Sequence, residues 1–303
     1  MTEDAFTALV ERHRRELHVH CYRMLGSFEE AEDLVRETLL RARTKRDGLV
    51  NRSGLRAWLY RTATNACLDL LRRNGRRVES VRSFAEVPWL QPYPDRLLPE
   101  AEPEAVVVAK ETIELGFLAL IQLLPPRQRA VLILRDVLGW SADETAELLE
   151  TSVPAADSAL QRARATLGER AEPRLEWSVV DTTAEEDALL RRFMEVHEQF
   201  DVVTWAQLLR PDVRVTMPPD PLCCDGRDSI WPLLERAVAM GDWRLVPTRA
   251  NGAPTAASYL RRPGDTAYRA CKLDVLRIKD GYIAEITTFD ARLFPAFGLP
   301  PTL

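Results

Sequence analysis

Residues 55–73 read LRAWLYRTATNACLDLLRR, and this stretch says more about the fold than any other part of the chain. Its apolar residues recur at the spacing of one helix face, at Leu55, Leu59, Ala63, Ala66 and Leu70. Its other faces carry an aromatic residue among polar and basic ones: Trp58, Arg61, Asn65, Asp69, Arg72 and Arg73. An aromatic side chain on a basic face is suited to stacking on an unpaired base. The stretch therefore predicts a helix that packs on a core with one face and holds nucleic acid with the others.

Charge is unevenly distributed around this helix. Residues 1–78 hold 16 Lys and Arg against 11 Asp and Glu, a net charge of +5, and residues 52–78 alone carry +6. Residues 79–126 carry −5, which is also the net charge of the whole chain. A net negative charge spread evenly would argue against DNA binding, but here a basic module is followed by an acidic connector.

Length and composition indicate a globular protein of two or three domains. The chain has 303 residues, 46% of them hydrophobic, which is enough to bury a sizeable core. No apolar run approaches the roughly 20 residues of a membrane span, and the first residues lack the basic-then-apolar layout of a signal peptide. We therefore expect a cytoplasmic protein with no membrane partner.

The cysteines predict neither a disulfide framework nor a metal site. They are odd in number, scattered, and without CxxC spacing or clustered histidines: Cys21, Cys67, Cys223, Cys224 and Cys271. A redox switch at the adjacent Cys223 and Cys224 would require a strained disulfide. We expect no metal and no cofactor.

Capping and proline signals divide the chain. Helices are predicted over residues 4–25, 27–45 and 53–74, and Ser27 with Glu30 resembles a capping box at the start of the second. The prolines of residues 88–103 interrupt helix and strand, which marks a linker and a domain boundary. Further helices are predicted over residues 105–124, 127–138, 142–149 and 154–167.

The last two of these helices have the layout of a helix-turn-helix. Ser141 and Glu144 form a plausible capping box for the first, and the second begins at Ser152 or at Val153 followed by Pro154. In such a unit the second helix lies in the major groove of DNA while the first crosses the backbone.

Beyond about residue 180 the pattern becomes mixed. Helices are predicted over residues 185–209 and 229–240, and strands over residues 213–217, 243–249, 255–262, 267–278 and 283–289. Asp280-Gly281 is a hairpin signal between the last two strands. This part of the chain is expected to be an α+β domain with a curved sheet.

Together these segments resemble a known family. Residues 30–38 (EAEDLVRET), the helix from Trp58 to Asn65 and residues 124–129 (LPPRQR) are similar, in order and spacing, to group 4 (extracytoplasmic function, ECF) sigma factors of bacterial RNA polymerase. The resemblance implies sigma region 2 at residues 1–78, an acidic Pro-rich linker at 79–111, a region 4 helix-turn-helix at 112–172, and a SnoaL-like domain of the NTF2 fold at 181–303. The implied fold is multidomain, with two all-α sigma domains followed by an α+β cone. The implied function is binding of core RNA polymerase and promoter DNA to initiate transcription, with activity tuned by the fused SnoaL-like domain.

The resemblance also assigns residues by position. It implies polymerase binding by Glu32, Asp33, Leu34, Arg36 and Glu37, for which a solvated charged face is the alternative. It implies that the −10 element is held by Trp58, Arg61, Asn65, Arg72, Arg73 and Arg76, with the loop at residues 47–54. Trp58 could equally be a core residue, whereas the crowded arginines at 72, 73, 76 and 77 repel one another unless phosphate is near. It implies that the −35 element is read by Ala155, Asp157, Ser158, Gln161, Arg162 and Arg164.

The C-terminal domain leaves several functions open. Cones of this fold usually enclose a pocket, and the candidate wall residues are His197, Trp205, Met217, Trp231, Tyr259, Cys271, Asp274 and Phe289. Some relatives of the fold are isomerases or cyclases with a carboxylate base, for which Asp212, Asp265, Asp274 and Asp290 are available. None has a recognisable oxyanion partner, so we predict binding and not catalysis. The alternatives are a small-molecule isomerase or hydrolase that the sigma-like half localises, and a transcription regulator that works without polymerase.

Contacts within the chain are also expected. The acidic connector could lie near the basic face of region 2, which charge reversal of Glu100, Glu102 and Glu104 would test. The SnoaL-like domain could hold regions 2 and 4 in a fixed arrangement, and the loop at residues 223–227 could meet them. The apolar tail at residues 293–300 is expected to pack either on its own domain or on a sigma region.

Overall fold

The computed structural model describes residues 2–45, 52–76, 78, 83–99, 112–170 and 184–303. These residues form two units. The first contains the described residues of 2–78 and 97–170, and the second those of 83–96 and 184–303. Part of the predicted linker therefore belongs to the same unit as the C-terminal domain. The charge-reversal positions Glu100, Glu102 and Glu104 lie outside the described residues.

The first unit is helical. Its helices are α1 (Glu3–Glu11), α2 (Arg14–Leu25), α3 (Phe28–Thr44), α4 (Arg52–Asn74), α5 (Leu115–Ile121), α6 (Pro126–Leu132), α7 (Ala142–Leu148) and α8 (Val153–Arg170). The single helix predicted over residues 4–25 is wrong, because the chain turns between α1 and α2. This break lets α1 fold against α3 and bury Phe6 and Val10, so tertiary packing overrides the local helix preference.

Helix α4 forms as predicted, and its buried residues show which of its faces packs on the core. Leu55, Leu59 and Ala63 are buried. The second half buries Cys67 and Leu71 where Ala66 and Leu70 were expected. These five buried residues are four positions apart, which is slightly more than the 3.6 residues of one helical turn. The buried face therefore rotates gradually around the helix along its length.

Side-chain capping is confirmed at three predicted helix starts. The Ser27 side chain accepts from the backbone N–H of Glu30. Ser141 and Glu144 form a reciprocal capping box at α7, with distances of 3.2 and 2.8 Å. The Ser152 hydroxyl accepts from the backbone N–H of Ala155 at 3.3 Å. Side-chain capping of orphan backbone donors thus begins both helices of the helix-turn-helix. A π-helical turn at Ile133–Val137, which the sequence did not reveal, extends α6.

The second unit is an α+β cone. It contains α9 (Ala184–Glu198), α10 (Val202–Gln207), β1 (Leu209–Met217), β2 (Asp220–Asp225), α11 (Trp231–Met240), β3 (Asp242–Ala250), β4 (Ala253–Arg261), β5 (Arg269–Lys279) and β6 (Tyr282–Asp290). The six-stranded sheet has the order β2-β1-β6-β5-β4-β3, and only the β1–β6 pair is parallel. Asp280 and Gly281 form the predicted hairpin turn, both with positive φ. Apolar side chains of the helices cover one face of this sheet.

Two predictions for this unit are wrong. The helix predicted over residues 185–209 is divided into α9 and α10, with Phe200 between them at a φ of 55°. The loop predicted at residues 223–227 begins as strand, since Cys223 and Cys224 belong to β2. Strand β2 lies at the sheet edge and pairs with β1 alone. None of its side chains is fully buried, so its sequence lacks the apolar alternation by which a strand is recognised.

The linker segment 83–96 is held by the C-terminal cone. Tyr93 and Asn251 exchange two hydrogen bonds, from the Tyr93 N–H to Asn251 Oδ1 at 2.8 Å and from the Asn251 N–H to the Tyr93 carbonyl at 2.9 Å. Asp95 accepts from the backbone N–H of Gly252 at 3.0 Å, and Arg96 donates to the carbonyl of Ala296 at 2.8 Å. These bonds join the linker to the β3–β4 turn and to the tail.

The apolar tail packs on its own unit, the first of the two expected alternatives. Phe294 and Phe297 are buried, and the Tyr259 hydroxyl donates to the carbonyl of Pro300 at 3.0 Å. Within the described ranges, no helix has the length and apolar character that a membrane crossing needs.

Candidate nucleic-acid interface and cone cavity

The outer faces of α4 present most of the residues assigned to the −10 element. Asn65, Arg72 and Arg73 are exposed, whereas Trp58 and Arg61 are half-buried. Arg76 differs, because its guanidinium forms two bonds of 2.6 Å to the Glu30 carboxylate of α3. A neighbouring carboxylate therefore neutralises one of the crowded cations. Residues 46–51 of the preceding loop and Arg77 lie outside the described residues.

The helix-turn-helix packs on the same side of α4. Arg61 donates to the Glu147 carboxylate at 3.1 Å and to the Glu147 carbonyl at 3.2 Å. The Trp140 ring lies 5.3 Å from that of Tyr60, and the Arg56 guanidinium stacks 4.9 Å from the Tyr60 ring. The end of α7 thus contacts Arg61 of α4, one of the residues assigned to the −10 element.

A buried arginine also joins the two helical parts. The Arg129 guanidinium donates to the carbonyls of Met24, Gln122 and Leu124 and to the Gln122 side-chain oxygen. Burial lowers the pKa of Arg129 to about 9, so its guanidinium remains protonated at neutral pH. A second arginine, Arg23 of α2, donates to the Thr112 hydroxyl at 2.7 Å.

The assigned polymerase-binding residues of α3 are divided between surface and core. Asp33, Arg36 and Glu37 are exposed, and Glu32 is half-buried beside Arg36 at 2.9 Å. Leu34 is buried, so in this unit it contributes to the core and not to a binding surface. Sequence reasoning missed Leu40, whose side chain is 61% exposed. The helical period could have revealed it, because burial of Leu39 turns the next residue outward.

Helix α8 exposes most of the residues assigned to the −35 element. Ala155, Ser158, Gln161 and Arg162 are exposed. Asp157 and Arg164 are engaged by the preceding helical segment: Arg135 lies 3.2 Å from Asp157, and Asp136 lies 2.6 Å from Arg164.

The cone contains a cavity of about 200 Å³ that is partly open to solvent. Five of the predicted candidates lie in its wall: His197, Trp205, Met217, Cys271 and Asp274. Trp231, Tyr259 and Phe289 do not. Tyr259 instead packs against Phe294 of the tail, with ring centroids 5.2 Å apart. The tail covers that part of the sheet, and its position could not be read from local periodicity.

The acidic group of the cavity is fully engaged. Asp274 accepts from Thr288 at 2.7 Å, lies 2.7 Å from the Lys272 ammonium, and is 3.4 Å from the Ser258 hydroxyl. Both carboxylate oxygens therefore have partners. Sequence reasoning missed Lys272, although residues two apart on a strand share a face.

Two aromatic rings of the cavity wall each have a nitrogen atom without a hydrogen-bond partner among the described residues. These atoms, His197 Nε2 and Trp205 Nε1, are both buried. Burial, with Lys272 nearby, lowers the pKa of His197 to about 3, so the imidazole is neutral at neutral pH. Burial also raises the pKa of the Cys271 thiol, which keeps it protonated. Within the described ranges, no group of three His, Cys, Asp or Glu side chains could hold a metal ion.

Comparisons with known proteins agree with the two helical parts. The family model Sigma-70 region 2 matches residues 9–77, and the model Sigma-70, region 4 matches residues 115–167. The ECF RNA polymerase sigma factor SigG of Mycobacterium tuberculosis is 40% identical, over 98% of this chain and 85% of its own length. The ECF RNA polymerase sigma factor SigW of Bacillus subtilis is 30% identical, over 54% of this chain and 88% of its own length.

A solved structure extends the agreement in fold to the whole chain. The crystal structure of the M. tuberculosis extracytoplasmic function sigma factor SigJ superposes with a TM-score of 0.62 at 22% identity, and covers 98% of this chain and 99% of that one. The shared fold is two helical sigma domains followed by an NTF2-like cone. The chain therefore belongs to the ECF family of RNA polymerase sigma factors, which recognise promoters and initiate transcription.

Proposed function

We propose that this sigma factor binds core RNA polymerase through the exposed face of α3, and that its two DNA-binding parts cover each other until polymerase separates them. The mutual covering is supported by the bond from Arg61 to Glu147. In this bond a residue of the helix-turn-helix holds the side chain of Arg61, which is assigned to the −10 element. Co-elution of the full chain with core polymerase, followed by sequencing of the transcripts started, tests the function as a whole.

The polymerase-binding face is a charged row with one apolar residue at its end. Asp33, Arg36, Glu37 and Leu40 recur at three- and four-residue spacing, so they share one side of α3. A large exposed apolar side chain within a polar face is typical of a protein interface.

Leu40→Asp is expected to weaken binding to core polymerase roughly 10- to 100-fold, the effect of losing a buried apolar anchor. The fold should persist, because the leucine is 61% exposed in the free protein. Affinity is measured by competition with the wild-type chain for core polymerase. Val203→Asp is the matched control, since Val203 is 68% exposed in the other unit. Equal affinity of Leu40→Asp and wild type for core polymerase would contradict the proposal that this face of α3 binds it.

Glu147→Lys is expected to strengthen polymerase-free binding to a single-stranded oligonucleotide about 3- to 10-fold at low salt, because it releases Arg61 and repels it. Asp143→Lys makes the same charge change at an exposed position of α7, so the difference between the two variants measures the contact and not the net charge. Fluorescence anisotropy provides the affinities. The free energy of unfolding should change by less than about 1 kcal/mol, as for other exposed ion pairs. Equal affinities of the two variants would show that the helix-turn-helix does not mask Arg61.

The cone tunes sigma activity through the linker. Support comes from residues 93–96, which connect regions 2 and 4 in sequence and are bonded to the cone at Asn251, Gly252 and Ala296. Transcripts from the full chain are compared with those from a chain that ends at residue 180. Unaltered promoter strength and selectivity would remove this role.

The cone acts by binding and not by catalysis. The support is chemical: a carboxylate whose two oxygens accept from Lys272, Thr288 and Ser258 is a poor general base.

A further inference from the structure

The cavity of the cone is large enough to hold a ligand. A dry apolar cavity of about 150 Å³ binds benzene, and this one measures about 200 Å³. Its wall is mostly apolar, with Phe193, Trp205, Val215, Leu233, Leu234 and Ile286. Empty apolar space is unfavourable for a fold, because the wall atoms lose packing contacts. An occupant would restore those contacts.

The charges of the wall favour an uncharged occupant. Lys272 and Asp274 neutralise each other across 2.7 Å, and the His197 ring is neutral at neutral pH. Arg236, the remaining charged wall residue, is exposed to solvent. A charged molecule would therefore lose its hydration in the apolar interior without gaining a buried counter-charge.

Two nitrogen atoms of the cavity wall lack a hydrogen-bond partner within the described part of the chain. His197 Nε2 and Trp205 Nε1 are buried without hydrogen bonds among the described residues, and an unpaired buried polar group is costly. Trp205 can only donate, whereas His197 donates or accepts according to its tautomer. A hydroxyl or carbonyl oxygen on the occupant could satisfy either ring. We infer that the cone binds a neutral, mostly apolar small molecule that carries such an oxygen.

The test uses three matched probes on the full chain without polymerase, so its outcome does not depend on the sigma function. They are 1-naphthol, naphthalene and 1-naphthoate, which share two rings and differ in oxygen and charge. Tryptophan fluorescence and thermal shift should show that 1-naphthol binds at one site per chain. Naphthalene should bind roughly tenfold more weakly because it lacks the oxygen, and 1-naphthoate at least about tenfold more weakly because it is charged.

Variants locate the site. Ala237→Phe fills the cavity and should abolish binding, whereas Ala239→Phe, on the exposed side of the same helix, should leave it unchanged. His197→Leu should remove most of the preference for 1-naphthol over naphthalene while naphthalene still binds. The proposal is overturned by a lack of saturable binding, by equal affinity in Ala237→Phe and wild type, or by tighter binding of 1-naphthoate.

Discussion

Arg129→Met should lower the free energy of unfolding of the first unit by about 3–5 kcal/mol, the usual effect of removing one partner from a buried charged network. The guanidinium is buried, and it serves four acceptors from three residues: Met24, Gln122 and Leu124. Methionine fills a similar volume but leaves those oxygens without a donor. Denaturant unfolding monitored by circular dichroism provides the measurement.

The need for Arg129 follows from the two prolines before it. A helical carbonyl at Gln122 would accept from the N–H four residues later, but that residue is Pro126, which has none. Met24 lies in the last turn of α2, where carbonyls also lack helical partners. Arg129 supplies donors to both, so it joins the end of α2 to the start of region 4.

Two variants make this prediction specific. Arg127→Met alters an exposed arginine two residues earlier and should change the free energy of unfolding by less than about 0.5 kcal/mol. Arg129→Lys keeps the charge but loses the planar fork, so an intermediate loss is expected. If Arg129→Met were as stable as Arg127→Met, the buried network would have no structural role.

Acidification from pH 7 to pH 5 should destabilise both units through buried histidines, His18 and His20 in the first and His197 in the second, by about 2 kcal/mol per histidine. Burial, with Arg14 nearby, lowers the pKa of His18 to about 4. Burial, with Arg23 nearby, lowers the pKa of His20 to about 3, although Glu16 acts in the opposite direction. Burial and Lys272 lower the pKa of His197 to about 3, against the effect of Asp274. Each imidazole is therefore neutral in the folded chain where the unfolded chain is already protonated.

The direction follows from proton uptake. An unfolded histidine binds its proton below a pH of about 6.5, and the folded ones do so only near pH 3 to 4. Between these values the unfolded state holds more protons, so stability is complete above pH 6.5 and is lost as the pH falls. Glu285 opposes this loss in the second unit, because burial raises its pKa and the folded state takes up its proton earlier.

His197→Leu separates these contributions. It should reduce the loss between pH 7 and pH 5 by about 2 kcal/mol in the second unit and leave the loss in the first unchanged. Amide hydrogen exchange, resolved by peptide, measures both units in one sample. An unchanged pH dependence of the second unit would mean that His197 is not the responsible group.

The sequence by itself determined much of the organisation. Helix α4, the capped helix-turn-helix at Ser141 and the hairpin at Asp280-Gly281 follow from chemistry within a few residues. The two sigma regions were recognisable from motif order and spacing. These features depend on local hydrogen bonding and on periodicity, which one chain displays without any tertiary information.

Tertiary structure alone decided how the candidate sites are composed. Arg76 meets Glu30, Arg61 meets Glu147, and Tyr93 meets Asn251 across separations of 46, 86 and 158 residues. The burial of Leu34 and the edge strand β2 likewise depend on what packs beside them. A side chain becomes a binding group, a structural ion pair or a core residue according to neighbours that only the folded chain brings within reach. The local sequence pattern contains no information about those neighbours.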